Sequence, residues 1–387
     1  MSGSLAWSFF VLYAYENSFI DFKMEPFLVY LGFSFLLGFG ALSAIVGSVI
    51  SGKTDRRKLL LWWTTLGVIS SASVAFLSGT LFLLSSVLLG ISLGLGYPYF
   101  TSFLADCTVI EERARISGLV ILATFLFVIF AVAIVSVFSL GLIEVVLVSI
   151  LLRSTNYVAL ALDPYQKMEG KEKPWREVLT NRNFSFYIFP WLMFNIATGL
   201  TPFVFSGLSS EYDYAVTVGN VLHYLGAGVG GIIAGFAADR FGRKQPIVAG
   251  MVMLGASFAF LGLATSPDSV LTYLAVSGIA WGFLIVVYLA VPGDLSPPGA
   301  REKFYALGIV VPLIIYGGLG SLSQLLKISA PASSVSSILS IILFMSTIPV
   351  LRATETLPET KIEERKLSDH IKKVGKLIQE SEQTDKE

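Results

Sequence analysis

Cysteine and histidine are nearly absent from this chain, which has 387 residues, one cysteine (Cys107) and two histidines (His223 and His370). A lone cysteine excludes an intramolecular disulfide. Two histidines set far apart, one in an apolar run and one in a polar tail, make no zinc site. No clustered His/Ser/Asp set or metal constellation appears near any hydrophobic boundary, which argues against a membrane enzyme, and no cofactor is implied. Charged residues are only 14% of the chain, and Lys+Arg equals Asp+Glu at 27 each, so no surplus of either sign points to nucleic acid. What fills the space is apolar: 54% of residues are hydrophobic and the mean hydropathy is +0.74. A soluble core cannot absorb that much apolar surface.

A bilayer core needs roughly 20 helical residues per crossing, with every backbone polar group satisfied inside the helix. Hydrophobic runs of that length predict an all-α membrane protein of about twelve transmembrane helices. They fall near 5–22, 27–51, 59–78, 80–105, 114–138 and 140–161, then near 184–207, 214–238, 245–265, 269–293, 303–326 and 332–352. The predicted organisation is a first six-helix bundle over 1–161, a cytoplasmic linker at 162–183, a second bundle over 184–352 and a cytoplasmic tail at 353–387. With both termini cytoplasmic, only Lys23 and Lys327 fall outside among the basic residues, which satisfies the positive-inside rule; the opposite orientation violates it. The expected setting is the cell membrane, multi-pass.

An internal repeat sharpens this picture. Subtracting 188 from Gly235, Asp294 and Arg301 lands on Gly47, Asp106 and Arg113 without a gap, and the same shift carries Gly226, Gly228 and Gly282 onto Gly38, Gly40 and Gly94. Identities at one offset, acidic and basic residues among them, make the halves parallel repeats.

The segment Gly235-Phe236-Ala237-Ala238-Asp239-Arg240-Phe241-Gly242-Arg243-Lys244 resembles the loop signature of the major facilitator superfamily, and the repeat extends the resemblance over nearly the whole chain. The first-half copy, Gly47 to Lys58, is degenerate: Ser51 stands where the motif has Asp, and Asp55-Arg56-Arg57-Lys58 follows. The tail Glu355-Thr356-Leu357-Pro358-Glu359-Thr360-Lys361 resembles the Pro-Glu-Thr-Lys motif of the sugar porter and organic solute branches. Asp106 with Arg113, and Asp294 with Arg301, match the acidic residue and arginine that bracket those branches' fourth-to-fifth and tenth-to-eleventh loops, and Tyr15-Glu16 resembles their first-helix aromatic-acidic pair. Two departures argue against a sugar. Asn195-Ile196-Ala197-Thr198-Gly199 replaces the seventh-helix Gln-Gln pair, and Leu289 stands in place of the tenth-helix tryptophan. The resemblance implies a solute transporter with its substrate site at the midplane between the halves.

Each candidate carries a functional and a plain structural reading. Asp239, Arg240, Arg243, Asp294 and Arg301, with Asp106, Arg113, Arg56 and Arg57 and the glycines Gly235 and Gly242, place opposite charges at helix ends on one face, a cytoplasmic gate whose pairs form on closing and break on opening. The plain reading is that loops near a bilayer carry basic residues anyway. Glu359 is assigned to the same network. Glu16, beside Asn17, lies about two turns inside the first span; an ionisable group at that depth suits proton coupling or is an interfacial carboxylate. His223 reads as a buried packing histidine, with a substrate or proton role as the alternative; Glu144, about one turn inside its span, reads as interfacial. Asn195, Thr198 and the Gly199/Pro202 pair are expected to unwind the seventh helix and present backbone to a polar solute. Trp191, Trp281 and Tyr288 either line the cavity or pack as belt aromatics.

One match is a decoy. Gly47-Ser48-Val49-Ile50-Ser51-Gly52-Lys53-Thr54 fits the phosphate-loop pattern, yet an apolar span rather than a strand precedes it and its register coincides with the second-half loop motif. The tail beyond Lys361 has Leu367, Ile371, Val374 and Ile378 at helical spacing with lysines between them, a pattern for an amphipathic helix on the anionic inner surface. The resulting expectation is a monomeric secondary transporter of a small organic solute in symport with H+. A facilitator, an exporter or a non-transporting sensor are the alternatives. Export is disfavoured because the fifth span, Gly118 to Phe138, lacks the glycine-proline break of the superfamily's antiporters.

Overall fold

The computed structural model describes residues 1–15, 25–51, 54–76, 79–161, 172–206, 213–263, 266–326 and 331–358, with residues 360, 362–364, 367, 371 and 374 of the tail. Among them every long element is an α-helix. In chain order these are α1 (Ser2–Tyr13), α2 (Pro26–Ile50), α3 (Arg56–Phe76), α4 (Phe82–Leu95), α5 (Tyr97–Asp106), α6 (Arg113–Val137), α7 (Leu142–Ser154), α8 (Tyr157–Ala161), α9 (Arg176–Leu179), α10 (Arg182–Ser206), α11 (Asp213–Phe241), α12 (Lys244–Leu263), α13 (Pro267–Leu295), α14 (Arg301–Leu326), α15 (Ala332–Met345) and α16 (Thr347–Arg352). Eleven of the described helical stretches are long and apolar enough to cross a membrane. The remaining predicted span begins with α1, Ser2–Tyr13, and its later part, residues 16–22, lies outside those described.

The outer surface explains the hydropathy. Phe76, Trp62, Leu151 and Phe130 stand more than two-thirds exposed, a density of bare aromatic and aliphatic groups that suits lipid and not water. The buried interior is correspondingly rich in small and hydroxylated residues, with Ser71, Ser85, Ser92, Ser102, Ser117 and Thr124 all enclosed, as expected where helices pack without a hydrophobic driving force between them.

Prolines break some spans and leave others intact. The fourth span divides at Gly96, with Pro98 in the first turn of α5, because proline removes an amide donor and its ring crowds the preceding turn. The seventh span was expected to unwind at Gly199/Pro202, and this expectation is corrected: α10 continues through both Pro190 and Pro202 to Ser206. Its hydroxyl and amide side chains turn back onto their own helix, Asn195 Nδ2 donating to the Trp191 carbonyl (2.7 Å), Thr198 Oγ1 to Phe194 (2.9 Å) and Thr201 Oγ1 to Ala197 (3.1 Å). Such back-bonding occupies the polar groups that an unwound segment would otherwise present to a solute.

The 188-residue shift reaches beyond the six motif positions. It superimposes α11 on α2, α12 on α3, α13 on the α4–α5 pair, and α14 on α6, each within a few residues at its ends. The most extensive contacts between the halves are α6 against α11 and α2 against α14, with α5 against α14 and α6 against α13 beside them, and the same shift exchanges the members of each pair. The later part of the linker docks on the second half: Lys303 Nζ donates to Glu172 (2.9 Å) and the Lys173 amide to Gly299 (3.0 Å), while Val178 packs with Phe184, Ala300 and Phe304.

Candidate functional site

At one end of the bundle the inter-helix turns bring charged side chains from both halves into a single buried cluster. Asp294, at the C-terminal end of α13, is fully buried and accepts from two arginines of opposite halves: Arg113 Nη1 on Oδ1 at 2.5 Å and Arg243 Nε on Oδ2 at 2.8 Å. Arg243, fully enclosed in the α11–α12 turn, also donates through Nη1 to Asp239 (2.8 Å) and the Ala238 carbonyl (2.8 Å), and through Nη2 to the Ile110 carbonyl of the first half. Burial alone would lower the Arg243 guanidinium, but Asp294 and Asp239 outweigh it and hold it above its ordinary value. Its charge is therefore permanent.

Asp239 reaches across the interface in its own right. Its two carboxylate oxygens accept the amides of Ala114 (3.2 Å) and Arg115 (2.9 Å), the first turn of α6. A carboxylate on the unpaired amides of a helix N-terminus also meets the positive end of the helix dipole. That approach requires Gly235 one turn earlier, where an added Cβ would stand 2.6 Å from the Ala114 carbonyl oxygen and 2.9 Å from Arg115 Cα. On the flank Asp106 pairs with Arg301, and Ser102 Oγ donates to Glu302 (3.3 Å). Arg113 to Asp294 and Arg301 to Asp106 are one pairing written twice, since the repeat shift turns each into the other.

Several candidate residues fall elsewhere. Arg57 is exposed, its amide donating to Asp55 (2.9 Å), and Arg240 is exposed over the Phe241 ring. The Arg56 side chain, Glu16, Asn17 and Glu359 lie outside the described residues.

Glu355 was not singled out in the sequence, and it sits in the cluster. Its Oε1 accepts the Arg243 amide (2.7 Å) and its Oε2 the Lys244 amide (3.2 Å), capping α12. Thr356 Oγ1 next to it donates to Asp294 (3.1 Å). Gly242 makes room: with φ at +98° it takes a conformation that side chains disfavour, and a Cβ there would meet the Glu355 carboxylate at 2.4 Å. The available signal was that Glu355 opens the same tail motif as Glu359, four residues earlier. Glu355→Ala is expected to strip the cap from α12 and lower stability by about 1 kcal/mol, read as a drop in melting temperature in detergent.

Toward the middle of the bundle the other candidates assemble into an aromatic group. Trp281 meets His223 edge-on at 5.2 Å and Phe194 at 5.3 Å; Trp191 packs on Tyr288 at 4.5 Å. His223 Nδ1 lies 3.1 Å from Ser277 Oγ, and Tyr288 donates to the Tyr187 carbonyl (2.7 Å). The neighbouring Tyr224 stacks on Phe125 of the first half at 5.8 Å. His223, Trp281 and Tyr288 are thus brought together, while Asn195 and Thr198 are engaged with their own helix.

Comparison with known proteins places this geometry. The family model described as the Major Facilitator Superfamily matches residues 1–310 and 210–378. Two solved structures share the fold over most of the chain. One is the human organic anion transporter MFSD10, with TM-score 0.65, 15% identity, and coverage of 90% of this chain and 89% of that one. The other is the proton:xylose symporter XylE, with TM-score 0.67, 13% identity, and coverage of 92% and 94%. A segment of 77 residues is 38% identical to the multidrug resistance protein MdtH of Yersinia enterocolitica and of Yersinia pestis; the match spans 20% of this chain and 19% of the relatives' length. With eleven described membrane-length helices, a repeat that maps α2–α6 onto α11–α14, and a buried pairing that the repeat shift exchanges between halves, the chain belongs to the Major Facilitator Superfamily of membrane transporters.

Proposed function

We propose that this protein carries a small organic solute across the cell membrane by alternating access, as a single chain and in symport with protons. The observation that carries the reading is the cross-pairing of Asp294 with Arg113 and of Asp106 with Arg301, with Asp239 on the first turn of α6. Each of these bonds joins one half to the other, so all of them must break before a solute passes on that side. The basic residues assign that side to the cytoplasm. Fully formed there, the network corresponds to a state closed inward, and its rupture is offset on opening by hydration of the freed charges, which keeps the two states close in free energy.

The solute is assigned to the aromatic group around Trp281, His223 and Tyr288, between the halves. Proton coupling is assigned to Glu16, with His223 behind it. A second reading, export, draws on the short match to a protein named for multidrug resistance.

The deciding experiment is uptake into proteoliposomes across sugars, carboxylates and amino acids, with and without an inward proton gradient. The expected result is gradient-driven accumulation of one class, reduced about tenfold or more in Glu16→Gln while solute exchange without a gradient persists. Accumulation indifferent to the gradient leaves a facilitator; proton-driven extrusion of lipophilic cations, with no uptake, replaces symport with export.

A further inference from the structure

A second buried charge lies away from the gate. Arg153, near the end of α7, is fully enclosed in the first-half bundle, where its guanidinium lies over the rings of Trp63 (3.9 Å) and Trp7 (4.5 Å). Its one described hydrogen bond runs from Nη2 to the Trp63 carbonyl (2.8 Å), and its Nε and Nη1 have no acceptor. No carboxylate is paired with it among the described residues. Ring stacking recovers part of the hydration lost by a buried cation, but it leaves those N–H groups unmet. An ionisable side chain held this way inside a membrane bundle marks a functional position.

The surrounding groups share one character. α3 and α7 run antiparallel in a register set by the Ser149–Ser71 hydrogen bond (3.1 Å) and by Arg153 lying against Gly67, where an added Cβ would fall 2.0 Å from Nε. One turn toward the gate end, that register sets Asn156 opposite Thr64. Both are buried, and Asn156 Nδ2 and Thr64 Oγ1 also have no partner. Asn156 sits in the break between α7 and α8, where the helix gives up its regular hydrogen bonds. The unmet groups are thus two guanidinium nitrogens, an amide nitrogen and a hydroxyl, all able to donate, around a positive charge. A neutral polar ligand would bring donors of its own into this cluster, whereas an oxyanion brings only acceptors.

We propose that Arg153, Asn156 and Thr64 form a binding site for an oxyanion, the carboxylate or phosphate group of a small ligand or of a lipid headgroup. The site is separate from the gate and does not depend on the symport reading. The aromatic sandwich fixes the guanidinium plane, so the anion is taken at its edge, and the α7–α8 break at Asn156 is the side from which it enters.

The test uses the full chain in phosphatidylcholine nanodiscs, titrated with sodium phosphate and sodium acetate at matched ionic strength, with acetamide as the neutral control. A second arm replaces part of the lipid with phosphatidylglycerol. Tryptophan fluorescence, which senses Trp7 and Trp63, and melting temperature are the readouts. The proposal expects a saturable response to anion and none to acetamide, with at least about tenfold weaker binding in Arg153→Gln and a severalfold loss in Asn156→Leu and in Thr64→Val. A response to the soluble salts assigns the site to a small anion; a response confined to phosphatidylglycerol assigns it to a headgroup. The absence of a saturable response in both arms, or equal responses to anion and acetamide, overturns the proposal. So does unchanged affinity in Asn156→Leu and Thr64→Val, which keep the cation in place should Arg153→Gln fail to fold.

Discussion

Asp294→Asn is expected to abolish transport, to about a hundredth of wild type or less, and to leave the protein open on the gate side. Asp294 pairs with an arginine from each half, so its neutralisation leaves Arg113 and Arg243 as buried cations together. Removing one partner of a buried pair costs about 3–5 kcal/mol, and the cost falls on the closed state alone, because in the open state these groups meet water. At about 1.4 kcal/mol per tenfold, that displaces the equilibrium by roughly a hundredfold to a few thousandfold. Ser102 reports the change: it is fully buried beside the charge cluster, where its hydroxyl donates to Glu302. In a Ser102→Cys, Cys107→Ser background, Asp294→Asn should raise labelling by a membrane-impermeant maleimide from the gate side by a comparable factor. Asp106→Asn breaks a more exposed pair, with side chains 18% and 27% accessible, and its effect should be smaller by about tenfold, since solvent already screens that interaction. Unchanged labelling together with normal transport in Asp294→Asn would remove the network from gating.

Gly235→Val is expected to produce the same open state by a steric route, leaving every charge in place. The valine Cβ would lie 2.6 Å from the Ala114 carbonyl oxygen, far inside contact distance, and the atoms it meets are helix backbone, which does not rotate away. α11 must therefore move off α6, and Asp239, one turn further along, is drawn from the amides of Ala114 and Arg115. Overpacking of this kind costs about 1–3 kcal/mol, again paid only where the two helices touch. The expected readout is faster Ser102→Cys labelling and a transport loss of about tenfold or more. Gly38→Ala is the control: a Cβ there meets nothing within 4 Å, and the change should be neutral or slightly stabilising. Equal behaviour of the two variants would show that the close approach at Gly235 is not what the closed state depends on.

Much of the buried charge cluster was legible before the fold, and the reason is local. Asp106, Arg113, Asp239, Arg243, Asp294 and Arg301 stand at helix ends in short turns, so their position along the membrane normal follows from span boundaries alone, and the repeat predicts that they gather on one face. Which partner each takes does not follow, because pairing depends on how the two halves are set against each other. Arg57 and Arg240 have the right residue type at the right depth and point outward, while Glu355 lies four residues before the glutamate that the tail motif suggested. The seventh span shows the opposite limit. Its Asn195, Thr198 and Pro202 read as an unwound, solute-facing segment, but side-chain bonds to the helix's own carbonyls keep α10 continuous. A linear pattern does not distinguish a polar group offered to a solute from one that serves its own backbone. Arg153 went unremarked for a related reason: it lies near a span end, where a basic residue is ordinary, and only packing shows that Trp7 and Trp63 enclose it.

By itself the sequence determined the class, the place of the eleven described spans to within a few residues at their ends, the repeat and its 188-residue offset, because hydrophobic length, residue composition and internal identity are properties of the chain in one dimension. Tertiary structure alone decided which charges meet. Asp294 between Arg113 and Arg243, Asp239 on the first turn of α6, Glu355 on α12 and Arg153 between two indoles are all contacts between residues distant in the chain, and their energies depend on separation and burial, which only the packed helices set.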